Sequence, residues 1–440
     1  MVTSRSIPRR EDLLSQYRQT RRLATCWIVV QIVLSLLAGV LIDWGQVLQS
    51  PLVTTVVVAA LLSGELFSVL RLAAAQKVEI GRLKETTRFG VYDRHLLREL
   101  MDDVLNRMQI PLPGPPVYVT ADRTVNAAAL RLGFSGLLPR MNGIYLPRQV
   151  LHRLNAAELQ DLIAHELGHY YRYPQVLHRF AEVGLVLGVL AGLVALQKFD
   201  LESYVSLLAI VGCGWAIRFV SGFLLSSPSV AIEYLCDELG AEMHGVVTSV
   251  NGLLKAGADS ELQLALQQQE LGNRRYGNLR AEEIVESIST AIPYGHSSRE
   301  QIQQVVADSL KRRAQQNRGL SLGGFLTHAW SGEESSAVDE LVADLGKLQQ
   351  LPRLDWESLL ERPGEIALDE SGVRALAELL EQRPDLVLFR LPEELDSVQL
   401  SHPSFRRRIL YLWKNRESIE AACRVRAGVR LASGSSGERE

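Results

Sequence analysis

Cysteine is scarce in this 440-residue chain: four residues, Cys26, Cys213, Cys236 and Cys423, lie far apart. Two of them fall in apolar runs, and no pair has metal or redox spacing. A disulfide framework is not indicated, and a reducing compartment suits the soluble part. An excess charge of one sign is also missing. The formal net charge is −3, which leaves no bulk attraction to nucleic acid. The chain carries no internal repeat, which removes the solenoid and array architectures. At this length two or three domains are expected.

Long apolar runs, in contrast, are present and sharply segregated. Leu23–Ile42 is an almost unbroken apolar stretch of bilayer length. Asp43–Ser50 is a short polar break, and Leu52–Leu70 is a second run interrupted by Glu65. Together they read as a transmembrane hairpin. A cleavable signal peptide does not fit, because the first run is too long and a second follows at once. Val183–Leu196, which is short and contains glycine, and Tyr204–Leu225, which carries Arg218, form a second apolar pair. This pair is either another membrane hairpin or a buried helical hairpin of a soluble core.

Basic residues set the orientation. Arg5, Arg9, Arg10, Arg18, Arg21 and Arg22 precede the first run, and Arg71, Lys77, Arg82, Lys84 and Arg88 follow the second. The loop between has none. The positive-inside rule places both flanks in the cytoplasm. The expectation is a multi-pass integral protein of a bacterial inner membrane.

Between the two apolar pairs stands the pentad His165-Glu166-Leu167-Gly168-His169. Two imidazoles four residues apart on a helix project from one face and can both reach a zinc ion. The glutamate between them can take a proton from a water held there, which is the chemistry of peptide hydrolysis. The flanks read as helix. Asn155 with Glu158 is a capping-box signature, Leu159, Leu162, Ile163 and Leu167 have helical spacing, and Pro174 marks the end.

A catalytic zinc needs a third protein ligand. A third histidine six residues after His169 is excluded, because Gln175 stands there. A later helix, opened by Ser227-Pro228, offers Glu233 and, one turn on, Asp237. Glu233 fits a third ligand, and Asp237 can orient a ligating histidine through its far nitrogen. Taken alone, Glu233 and Asp237 would read as a solvated acidic face, since Glu238 and Glu242 are close by. His244 and His178 remain weaker ligand candidates.

The ordered set resembles the membrane zinc metalloproteases that include the HtpX-type heat-shock protease and the CAAX prenyl endopeptidase. Its parts are Val125-Asn126-Ala127-Ala128, His165–His169, Glu233–Asp237 and His402-Pro403. The resemblance covers about residues 20–250 and 400–415. The hairpin count is closer to the HtpX type. The resemblance implies one Zn2+ per chain on His165, His169 and Glu233, with Glu166 as base and Asp237 behind the ligands. It departs from the family at Ala128, where phenylalanine is common, and at Cys236, where alanine is. The stretch from about 250 to 400 has no recognised counterpart.

The expected fold is mainly α (α+β). It has a zincin-type catalytic core with a small edge-strand sheet and two transmembrane or membrane-associated helical hairpins. The expected order is a basic lead (1–22), transmembrane hairpin 1 (23–70), the first part of the catalytic core (71–180), apolar hairpin 2 (181–226) and the third-ligand helix (227–250). A divergent insertion (251–400), a His-Pro helix region (401–432) and a flexible tail (433–440) follow. Within these, 71–109 reads as charged and helical, with a stripe at Leu96, Leu97, Leu100, Val104 and Leu105. Val117–Thr120, Asn126–Leu132 and Gly143–Leu146 read as strands. Gly252–Arg318 shows broken helical periodicity, while Ser335–Leu351, Ser371–Leu380 and Ser401–Lys414 look helical. Asn126, Ala127 and Ala128 are candidates for pairing with an extended substrate. His402 is a candidate oxyanion stabiliser or simply a helix-start residue. Arg406, Arg407 and Arg408 either assist at the site or meet lipid headgroups. The function expected is hydrolysis of peptide bonds in membrane or misfolded proteins at the cytoplasmic face. The partners are a protein substrate and the bilayer, and oligomerisation is left open. A non-enzymatic or self-cleaving scaffold or sensor is the alternative. An intramembrane site-2-type protease is disfavoured by the absence of an Asn-Pro-Asp-Gly-like loop.

Overall fold

The structure is a computed structural model that describes residues 7–74, 77–120, 128–130, 142–174, 176–199, 203–224, 229–276, 354, 367–389, 391 and 403–434. It is mostly helical with one small sheet. Asn126, Ala127, His402 and the segment Ser335–Leu351 lie outside the described residues.

The chain opens with α1 (Arg10–Leu41), a short α2 (Trp44–Gln49) and α3 (Pro51–Ala74). Asp43 caps α2 by accepting from the amides of Gly45 and Gln46. The helical reading of 71–109 needs correction. Lys77–Glu79 forms strand β1, and the helix α4 (Arg94–Arg107) starts later. The physical reason is that the apolar stripe begins only at Leu96. Upstream of it Gly90 adopts φ +62, and Asp93 caps α4 by accepting from the Leu96 amide at 2.9 Å.

Strands β2 (Val117–Thr120), β3 (Ala128–Leu130) and β4 (Gly143–Pro147) complete a sheet of order β1-β2-β4-β3. β2 and β4 run parallel, while β1 and β3 flank them antiparallel. Val117, Val119, Ile144 and Leu146 point into a core shared with α4 and with α6 (Ala156–Leu167), which follows the short α5 (Arg148–Arg153). β2 and β4 are buried on both faces, and a one-residue slip would turn all four away from the helices and bring Tyr118 and Tyr145 onto them, which fixes the register. β3 is the outer strand of the described sheet.

The capping box of α6 forms as the spacing demands. Asn155 Oδ1 accepts from the Glu158 amide and Glu158 Oε2 from the Asn155 amide, each at 2.9 Å. The helix does not continue regularly to Pro174. It passes at Gly168–Arg172 into a π-turn closed by Tyr173 N donating to Gly168 O at 2.8 Å. His169 therefore stands in a widened turn.

α7 (Val176–Phe199) and α8 (Ser203–Leu224) form the second hairpin, alongside α1 and α3. Gly188 lets the α7 and α8 backbones touch, because a side chain there would collide with the Cys213 carbonyl and the Gly214 Cα. The two hairpin tips are joined. The Asp43 amide donates to Gln197 Oε1, and the Gln197 amide donates to the Asp43 carbonyl, both at 2.9 Å. Among the described residues α1 is long and apolar enough to cross a bilayer. Pro51–Leu62, Val183–Lys198 and Ile210–Val220 are shorter apolar stretches.

α9 (Ser229–His244) and α10 (Val246–Tyr276) are separated by Gly245 at φ +91, a conformation suited to glycine. α10 runs through Gly252, where broken periodicity was expected. α11 (Glu370–Gln382), α12 (Phe405–Lys414) and α13 (Arg416–Gly434) follow. α12 starts at Phe405 rather than at Ser401, with Ser404 as its cap. Residues of α9 to α12, together with Leu13 and Tyr17 of α1, make a second core.

Candidate metal centre

α6 and α9 cross closely enough for their side chains to share one site. Two glycines permit it. A Cβ at Gly168 would lie 2.9 Å from Cys236 Sγ, and one at Gly240 would lie 2.8 Å from the Asp161 carbonyl oxygen.

At the crossing His165, His169 and Glu233 converge, each offering one donor atom within 4.8 Å of the others. The Nε2 atoms of His165 and His169 are 3.1 Å apart. Glu233 Oε2 is 3.6 Å from the first and Oε1 is 3.3 Å from the second. Tetrahedral zinc bonds of roughly 2.0–2.1 Å separate neighbouring ligand atoms by about 3.3–3.4 Å. The two imidazole nitrogens and the carboxylate of Glu233, through one oxygen to each nitrogen, thus lie close to the spacing of neighbouring ligands on one tetrahedral ion. Donor chemistry agrees, since two imidazoles and a carboxylate form a common catalytic zinc set.

Behind the ligands, His165 Nδ1 meets Asp237 Oδ1 at 3.0 Å. A proton on Nδ1 directed at Asp237 would leave the Nε2 lone pair for a metal ion. Arg408 of α12 grips Asp237 in turn, with Nε to Oδ2 at 2.7 Å and Nη2 to Oδ1 at 2.5 Å. Burial would raise the Asp237 carboxyl, but the Arg408 guanidinium, aided by His165, outweighs it and holds the group below the usual carboxylate range. Burial alone would lower His165. Asp237, Glu233 and Glu166 prevail and raise it. Glu166, Glu233 and Asp237 are all buried. Among the described residues, three carboxylates here face the single guanidinium of Arg408, a balance that a dication would improve.

The acidic face expected to be solvated, had the motif been accidental, is instead internal: Glu233, Asp237, Glu238 and Glu242 are all buried. His244 is engaged elsewhere, its Nε2 2.7 Å from Gln160 Oε1. His178 lies in α7, its side chain outside the described ones. Ala128 opens β3, its backbone paired with Tyr145 of β4. The three consecutive arginines part company. Arg406 donates to the carbonyls of Leu380 and Pro384 at 2.6 Å, closing the end of α11, while Arg408 enters the site. Its place was marked in the sequence: with Phe405, Ile409 and Leu412 it lies on the apolar stripe of α12, where a cation requires a buried partner.

Two imidazoles and a carboxylate at ligand spacing, with a glutamate between the histidines, define the metallopeptidase class. Comparison with known proteins agrees. Residues 93–256 match the profile of peptidase family M48. A protease HtpX homolog of Pelotomaculum thermopropionicum is 28% identical over 174 residues, which cover 35% of this chain and 57% of that protein. The chain thus spans a little over half the length of this curated relative. No solved structure matches. Over residues 93–256 the chain is thus similar to the metallopeptidases of family M48, and its curated relative bears the name of an HtpX-type protease.

Proposed function

We propose that this protein is a membrane-bound zinc metalloendopeptidase that cleaves membrane or misfolded proteins at the cytoplasmic face. The observation that carries the reading is the convergence of His165, His169 and Glu233 at tetrahedral spacing, with Asp237 fixing the orientation of His165. These three residues would hold the metal. Zinc supplies a Lewis acid that polarises a carbonyl and acidifies water. The chain's own groups do the rest. Glu166 accepts a proton from the attacking water as the oxygen adds to the peptide carbonyl carbon. It then returns that proton to the departing amine as the C–N bond breaks. Asp237 keeps His165 in one tautomer throughout. β3, the outer strand of the described sheet, would pair with an extended substrate, with Ala128 at its start and Asn126 and Ala127 as candidates from the sequence, and His402 remains the candidate for the oxyanion.

Several features support the membrane setting. The apolar part of α1 turns large side chains outward: Leu36 is 67% exposed, Val40 85% and Leu41 63%. Such a surface on a soluble protein would aggregate. The second hairpin lies beside the first with its tip bonded to the same corner, Asp43 to Gln197. It crosses at Gly188 in the small-residue manner of membrane helices. On this reading both hairpins cross together, with the metal site beside the cytoplasmic start of α7.

The test is proteolysis of a fluorescent unfolded membrane protein by wild type and Glu166→Gln, with and without a chelator. Cleavage should require both Glu166 and metal. Metal-bound wild type that leaves every such substrate intact would favour the scaffold or sensor instead.

A further inference from the structure

Three arginines from three separate elements reach the buried acids of α9. Arg408 of α12 holds Asp237. Arg426 of α13 holds Glu242, with Nε to Oε2 at 2.8 Å, and also bonds the Arg107 carbonyl. Arg10 of α1 holds Glu238, with Nε to Oε1 at 2.8 Å, and its Nη2 lies 3.9 Å from Glu242. All three lie outside the segment 93–256 that matches the peptidase family. Arg10 is the unusual member, because it belongs to the helix with the longest apolar run.

The geometry of α1 explains how one helix serves both ends. At 1.5 Å per residue its 32 residues extend about 48 Å. The apolar part, from Leu23, accounts for a hydrocarbon core of about 30 Å. The portion from Arg10 to Arg22 stands about 20 Å clear of it. That stub is not a loose lead. Arg10, Leu13 and Tyr17 share one face at helical spacing, and Leu13 and Tyr17 are buried in the core built around α9. Tyr17 meets Tyr173 edge-on with ring centroids 5.5 Å apart. Tyr173 closes the turn that carries His169, and Glu238 follows Asp237 directly. The stub therefore packs beside both halves of the metal centre.

We propose that the first two turns of α1, through Arg10, are a positioning element that keeps α9 in register with the pentad, so that metal retention depends on the membrane helix. This rests on the reading of His165, His169 and Glu233 as metal ligands. Glu238 is 3% exposed, and its other partner is the neutral hydroxyl of Tyr411 at 2.8 Å. Without Arg10 a buried carboxylate loses its countercharge. It is relieved if α9 shifts toward water, which carries Glu233 and Asp237 with it. Ligand sites tolerate only about 0.5 Å of such movement.

The experiment uses the full chain in detergent loaded with Co2+, whose visible spectrum reports ligand geometry. Arg10→Gln should release cobalt to a chelator on the order of tenfold faster, the range seen when groups behind metal ligands are lost, with an altered spectrum. Arg10→Lys should recover much of the retention. In a Glu238→Gln background, where no countercharge is needed, adding Arg10→Gln should change nothing. That comparison stays decisive even where Arg10→Gln alone fails to fold. Wild-type retention and spectrum in Arg10→Gln would overturn the proposal, as would fast release that persists in the double variant relative to Glu238→Gln. Wild type that binds no cobalt would overturn the ligand assignment and this proposal together, whereas wild type that binds it beside an unaffected Arg10→Gln overturns this proposal alone.

Discussion

Arg408 and Asp237, 171 positions apart in the chain, meet through two short hydrogen bonds of 2.7 and 2.5 Å. Asp237 spends one of the same oxygens on His165 at 3.0 Å. A planar guanidinium meets the two carboxylate oxygens with two parallel N–H donors in a fixed fork, which a single ammonium nitrogen lacks. Arg408→Lys should therefore lower metal affinity despite keeping the charge, and Arg408→Ala should lower it by roughly 10–100-fold. Competition with a chelator measures both. Equal affinity in wild type and Arg408→Ala would mean that Asp237 orients His165 without help.

Close helix packing gives a second prediction. Gly240→Ala would put a methyl 2.8 Å from the Asp161 carbonyl oxygen, a backbone atom that cannot turn aside. α9 must then move off α6, at a cost of about 1–3 kcal/mol, and metal content should fall with it. Gly252→Ala in α10 is the control. Its methyl would find ordinary contacts of 3.8 Å or more with Glu158, and the gain in helix propensity is up to about 1 kcal/mol. Thermal unfolding and metal-to-protein ratio should separate the two variants in opposite directions.

What could be read from sequence was what is encoded within a turn or two. The pentad, the capping box of Asn155 and Glu158, and the Glu233–Asp237 pair each depend on a spacing of three or four residues. The remainder depends on distant partners. Three-residue β1 sits in a charged stretch with no alternation to announce it, and exists because Val78 aligns with Val119 of β2. The broken periodicity read over Gly252–Arg318 hid a helix whose glycines serve packing: a side chain at Gly257 of α10 would strike the Phe389 ring. The widening at Gly168–Arg172 begins at Gly168, which packs closely on Cys236 and Leu239 of α9. No local pattern shows that His169 leaves the regular helix.

Asp161, one turn before His165, gives a prediction in pH. It is buried and accepts from Ser249 Oγ at 2.5 Å. Burial raises its carboxyl well above the usual range, with Glu158 adding to the rise while the Ser249 hydrogen bond and Arg107 oppose it. The folded state thus holds a proton that the unfolded chain has released above about pH 4. Its contribution to stability is complete at low pH and is lost as pH rises through the folded value, at about 1.4 kcal/mol for each tenfold difference in proton affinity. Asp161→Asn keeps the acceptor for Ser249 and removes the titration. The variant should therefore gain on wild type between pH 5 and pH 8 in thermal unfolding. A constant difference across that range would show that Asp161 ionises normally.

The third ligand can be decided by metal content. Glu233 presents its two oxygens 3.6 and 3.3 Å from the two histidine Nε2 atoms, whereas His244 is bonded to Gln160. Glu233→Ala removes one of three donors and should leave the protein largely without zinc after dialysis. Glu233→Gln keeps the shape with a neutral oxygen, a poorer ligand, and should hold zinc more weakly than wild type yet better than alanine. His244→Ala should bind zinc as wild type does and instead lose stability, because the buried amide of Gln160 loses a partner at about 1–3 kcal/mol. Zinc loss in His244→Ala with full retention in Glu233→Ala would reverse the assignment. Measured together, zinc content and unfolding midpoint distinguish a lost ligand from a loosened core, because the glutamate changes move the first and the histidine change moves the second.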